Sequence, residues 1–190
     1  MKKIISSLFV LFTLLPVTAA RTQWYEIDYE KSQIAFLAKS RVVNANGLFR
    51  KWSFKGKISG NLHVVGDLAI DCASIDTDNE RRDKHLRSAD FFDCEKNKQH
   101  VFRIKAAKAD NANPLKATKF EIQGELTMRG VTQAVDFTLA REGNENAFTL
   151  TGSVLIDREK FGITYNSALN PIEKIVRIDI KVALKKKTEK

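Results

Sequence analysis

The chain has 190 residues, 43% hydrophobic and 29% charged, with 32 Lys+Arg against 23 Asp+Glu for a net charge of +9. That length fits one domain, and that balance excludes a wholly disordered chain. Two cysteines exclude a disulfide-dense miniprotein and a zinc ribbon.

Met1-Lys2-Lys3 is a basic start, Ile4 to Val17 is almost wholly apolar, and Val17-Thr18-Ala19 supplies a small-residue exit. Residues 1–20 therefore read as a secretory signal peptide. The apolar run falls short of the roughly 20 residues a membrane span needs. Cleavage removes Lys2 and Lys3 and lowers the net charge from +9 to +7. Export to the periplasm or beyond puts Cys72 and Cys94 in an oxidising compartment. They are expected to form a disulfide, the rival being two buried thiols.

Downstream, the period is two. Phe36 stands in a weak alternation with Ile34 and Ala38. Lys39 to Asn46 is a short helix or a turn. Phe54, Ile58, Leu62 and Val64 share one parity, followed by Leu68, Ile70 and Cys72, then Phe102, Ile104 and Ala106. The clearest run is Phe120, Ile122, Gly124, Leu126 and Met128 against polar neighbours, joined by Arg129-Gly130 to Val131, Val135, Phe137 and Leu139. A two-residue link ending in Gly predicts a tight hairpin. Phe148, Leu150, Val154 and Ile156 follow, then Val176 to Leu184, and a basic tail, 185–190, closes the chain. About eight such strands make an all-β sandwich or closed barrel. Thr77-Asp78-Asn79-Glu80 is a capping box, which predicts a short helix from Glu80 to about Arg87. Glu80–Lys84 and Asp83–Arg87 would support that helix as pairs four apart.

Arg82-Asp83-Lys84-His85-Leu86-Arg87-Ser88-Ala89-Asp90-Phe91-Phe92-Asp93 resembles the signature block of the YceI-like family of secreted barrel proteins. Trp24 to Asp28, Ser32 to Phe36, Gly47-Leu48-Phe49, Gly124 to Thr132 and Phe161-Gly162-Ile163 match further family elements in order. The resemblance implies an eight-stranded antiparallel, lipocalin-like β-barrel over residues 21–184 with one or two short helices. It implies a carrier or storage protein, not an enzyme, that holds a polyisoprenoid, a quinone-type tail or a fatty amide or acid, commonly as a homodimer. Two histidine positions of the family are occupied here by the stretches Glu30-Lys31-Ser32 and Ala38-Lys39-Ser40.

The candidate ligand-lining residues are Phe36, Phe49, Phe54, Leu86, Phe91, Phe92, Phe102, Phe120, Ile122, Phe137 and Phe148. Each methylene of a buried alkyl chain is worth roughly 0.8 kcal/mol, so a dry tube binds such a chain without polar contacts. The same residues would equally fill a solid core, giving a protein-interaction module. Arg87 suits a phosphate head group. Asp83, His85 and Arg87 would be the polar centre of an enzyme acting on an isoprenoid or quinone lipid; tying the helix to the next strand is their plainer role. No His-x-x-x-His, Cys-x-x-Cys or Gly-x-Ser-x-Gly pattern occurs, so neither a metal nor a cofactor is expected. The basic surplus is a solvated surface or an attraction to an anionic membrane; its interspersed acids argue against nucleic acid.

Overall fold

The computed structural model describes residues 24–59 and 63–187. The proposed signal segment and the last three residues of the tail lie outside the described residues. Among the described residues ten strands and one α-helix follow in order: β1 (Trp24–Ser40), β2 (Ala45–Phe49), β3 (Trp52–Ser59), β4 (Val64–Asp71), β5 (Ile75–Asp76), α1 (Glu80–Arg87), β6 (Gln99–Ala109), β7 (Lys119–Met128), β8 (Val131–Gly143), β9 (Ala147–Asp157) and β10 (Ile172–Lys186). The last strand thus takes in Lys185 and Lys186, two residues of the segment set apart as a tail.

Eight of these strands close into an antiparallel barrel in the order β1-β3-β4-β6-β7-β8-β9-β10, with β10 returning to β1. Closure leaves no free sheet edge around the ring. It depends on the length of β1. Its first residues pair with β3 (Tyr25 opposite Ile58), its far end pairs with β2, and β10 runs along most of it. Between Asp28 and Gln33, β1 advances five residues while β10 advances two, from Ala183 to Lys181. The Ser32 hydroxyl spans this bulge, donating to the Asp28 carbonyl at 2.6 Å and accepting from the Ala183 amide at 2.9 Å. β2 and the two-residue β5 form a flap beside the ring.

Two local expectations are corrected and one open choice is decided. Val64 belongs to β4 and not to the strand of Phe54 and Ile58, because Gly66 pairs back onto Gly56; Leu62 lies outside the described residues. Of the helix and the turn expected between Lys39 and Asn46, the structure has the turn: Lys39 and Ser40 end β1, Ala45 and Asn46 begin β2, and the Asn44 side chain between them accepts from the Ser40 amide at 3.0 Å. Helix α1 has the predicted bounds, but Asn79 caps it, accepting from the Arg82 amide at 3.0 Å. Thr77 instead donates from its amide and hydroxyl to one oxygen of buried Asp83, at 2.9 and 2.5 Å. Asp83 thus meets Thr77, while Arg87 reaches the Ile75 carbonyl.

The Arg129-Gly130 hairpin stands as read: both residues have positive φ, 52° and 75°, as a right-twisted two-residue turn requires.

Candidate functional site

Inward residues of all eight barrel strands surround a cavity of about 510 Å³. Small-molecule sites usually fall between roughly 300 and 1,000 Å³. The filled-core reading is therefore overturned. The reason lies in the glycines. A Cβ on Gly124 would stand 2.3 Å from the Phe102 ring, one on Gly47 2.6 Å from Phe36, and one on Gly56 2.6 Å from Phe54. Each ring rests in the space a missing side chain leaves, against the wall and not across the bore.

Ten of the eleven predicted lining residues reach the wall. Phe36 (β1), Phe49 (β2), Phe54 (β3), Phe102 (β6), Phe120 and Ile122 (β7) and Phe137 (β8) come from strands. Leu86 comes from α1, and Phe91 and Phe92 from the loop after it. The eleventh, Phe148, does not. It is 3% exposed and lies beyond the end of the bore, edge-on to Tyr25 at 5.1 Å with the Arg141 guanidinium 4.5 Å from its ring centre. The Tyr25 hydroxyl donates to the Glu145 carbonyl at 2.7 Å, and Arg141 to the carbonyls of Leu115 and Asn144. Together they plug one end.

The other end is polar. α1 contributes Arg82 and His85, and the segments 40–45 and 163–172 contribute Ser40, Tyr165, Ser167 and Asn170. Arg158, only 4% exposed, supports this rim. It donates to the carbonyls of Ile163, Tyr165, Ile172 and Glu173 at 2.5–3.2 Å, so its charge is held mainly by backbone dipoles. Arg82 donates to the hydroxyl and the carbonyl of Thr77, both at 2.8 Å. His85 meets Asp90 at 3.0 Å and stands edge-on to Phe91 and Tyr165.

Arg87, the expected head-group contact, is not on the wall. It points to the Ile75 carbonyl at 3.2 Å, on the far side of α1. The proposed polar centre is likewise split: Asp83 faces Thr77 and Arg87 faces Ile75, while His85 alone of the three meets the cavity. Helical spacing could have sorted these: Arg82, His85 and Leu86 are i, i+3 and i+4, one face of the helix.

His100 was missed. It shares the inward parity of Phe102 and Ile104, is 2% exposed, and lies 5.9 Å from Phe49 and 5.1 Å from Phe92 between ring centres. Neither ring nitrogen has a partner among the described residues. Burial pulls its pKa from 6.5 to about 4, so it is neutral at pH 7.

Cys72 and Cys94 form a disulfide with Cα atoms 5.5 Å apart. It fastens the loop bearing Phe91 and Phe92 to the end of β4, alongside backbone bonds from Cys94 to Arg87 and from Cys72 to Lys98.

A closed antiparallel barrel with a plugged floor, an apolar bore and a polar mouth is a hollow barrel of lipocalin-like build. The chain belongs to the YceI-like family: the model of the YceI-like domain matches residues 25–184. A UPF0312 protein of Serratia proteamaculans is 30% identical, with 96% of each chain covered. Another, from Staphylococcus epidermidis, is 33% identical over 76% of this chain and 85% of its own. Among solved structures, BcnA of Burkholderia cenocepacia superposes with a TM-score of 0.72 at 22% identity, covering 83% of this chain and 99% of its own. A polyisoprenoid binding domain from Saccharophagus degradans gives 0.64 at 17% identity, covering 85% and 97%. These structural likenesses establish the fold.

Proposed function

We propose that this protein is an exported carrier that holds one long apolar lipid chain in the barrel, with its head group at the polar mouth. The carrying observation is the bore itself: about 510 Å³, walled by aliphatic and aromatic side chains, plugged by Tyr25 and Phe148 and open beside Arg82, His85 and Arg158. The occupant is a polyisoprenoid, a quinone-type lipid, or a fatty amide or acid. Chain burial supplies the affinity, and the Arg82 guanidinium at the mouth favours a phosphate or carboxylate head. The polyisoprenoid-binding relative of the same fold supports the first of these. The disulfide supports export, since such bonds persist in oxidising compartments. Holding and releasing a lipid needs no bond chemistry, and the scattered Asp83, His85 and Arg87 support a binder over an enzyme.

The test is native mass spectrometry with solvent extraction of the purified mature protein. A stoichiometric long-chain lipid is the expected result. A protein that emerges empty and takes up no added isoprenoid, quinone or fatty amide would overturn the proposal.

A further inference from the structure

The two segments framing the mouth carry aliphatic side chains turned to water. Val42 is 69% exposed, Val43 60% and Leu169 89%, in a chain whose other apolar side chains mostly point inward. The turns that bear them hold each other. The Arg41 amide donates to the Pro171 carbonyl at 3.2 Å, and the Val42 amide to the Asn170 side chain at 2.7 Å. Asn170 donates back to the Val43 carbonyl at 3.4 Å, and its own amide donates to the Ser167 hydroxyl at 3.3 Å. The apolar tips are therefore displayed by a cross-linked pair of turns. Residues 39–46 and 162–171 contain Lys39 and Arg41, both exposed, and no Asp or Glu. Val43 and Asn170 also line the bore, so the patch is continuous with the cavity wall.

Exposed aliphatic tips flanked by cations, with no acid among them, match the boundary between head groups and acyl chains of an anionic bilayer. We infer that this rim is a membrane-docking face. Val42, Val43 and Leu169 dip below the lipid phosphates, Lys39 and Arg41 pair with those phosphates, and the mouth opens directly onto the acyl layer. The purpose of the docking rests on the carrier reading; the docking itself does not. A lipid tail would then pass from bilayer to bore without crossing water.

The experiment is co-sedimentation of the mature protein with vesicles of phosphatidylcholine containing a minority of phosphatidylglycerol, against pure phosphatidylcholine. The wild type is expected to bind the anionic vesicles more tightly, and less tightly as salt is raised. V42S/L169S changes two tips that do not line the bore. It is expected to lose about tenfold or more of the vesicle partitioning while its thermal unfolding and its binding of a dansyl-labelled fatty acid stay unchanged. Equal partitioning of wild type and V42S/L169S overturns the inference, as does a wild type that ignores both vesicles. So does a dimer in size-exclusion chromatography that V42S/L169S dissociates, without vesicle binding, for then a second copy covers the patch. Vesicle binding by a protein that takes up no lipid would sink the carrier reading and leave the docking face standing.

Discussion

His100→Leu is expected to change the pH dependence of stability. In the unfolded chain this imidazole takes up a proton near 6.5; in the folded barrel burial delays that to about 4. Between those values the unfolded state binds more protons, so the His100 contribution is fully present above pH 6.5 and is lost as the pH falls towards 4. A gap of that size, at 1.36 kcal/mol per unit, amounts to about 3 kcal/mol. Leucine keeps most of the side-chain volume between Phe49 and Phe92 and cannot titrate. The assay is urea unfolding of wild type and variant across roughly pH 4 to 8, taking the difference in unfolding free energy. Near neutrality the variant is expected to be the more stable by about 1 kcal/mol, since two buried unpaired nitrogens are removed. Its advantage should widen steadily as the pH falls. A difference that stays flat across the window, or narrows in acid, would refute the reasoning.

Other perturbations have equally definite outcomes. Cys94→Ser opens the loop between positions 72 and 94 and should cost about 3 kcal/mol in the chain-entropy view, read as a lower urea midpoint. Gly124→Val drives a side chain into the Phe102 ring; about 1–3 kcal/mol of stability should be lost, and the displaced ring should narrow the bore, visible as weaker uptake of a dansyl-labelled fatty acid. Ala107→Trp projects into the cavity from β6. Displacing even two methylenes of a bound chain, at roughly 0.8 kcal/mol each, weakens binding by about tenfold, measured by titration with long-chain lipids. Arg158→Met strips the donors from four carbonyls; hydrogen exchange over residues 163–173 should rise by at least about tenfold, the equivalent of one lost buried hydrogen bond.

What the chain discloses before folding depends on the physics involved. Alternation marks which face of a strand is apolar, so the runs around Phe102, Ile122 and Phe137 could be read directly. The turn at Arg129-Gly130 could be read as well, because few residue pairs tolerate two positive φ angles. Parity says nothing about depth along the barrel axis. That is why Phe148, in step with Leu150, falls beneath the floor. Parity alone left a sandwich and a closed barrel open, since the pairing of β1 with β10 joins opposite ends of the chain; the family resemblance is what pointed to the barrel. Asn79 and Thr77 both suit a helix cap, and the choice was decided by Asp83, which only the folded helix brings to Thr77. The position of His100 two residues before Phe102 assigns it to the interior, but parity does not say that its ring nitrogens find no partner among the described residues there. The glycines that keep the bore open were visible at inward positions, but what each would accommodate depends on the neighbouring strand.

The plug formed by Tyr25 and Phe148 makes the lumen a dead end, and a dead end is a gauge. Whatever threads into it goes in tip first and comes out tip last. Each additional methylene drawn inside slows escape by about fourfold, the Boltzmann factor for roughly 0.8 kcal/mol. Once the tip touches bottom, further length stays outside in contact with water or bilayer and adds nothing. Residence time should therefore climb with tail length and then level off, at a length set by where the Phe148 ring stands.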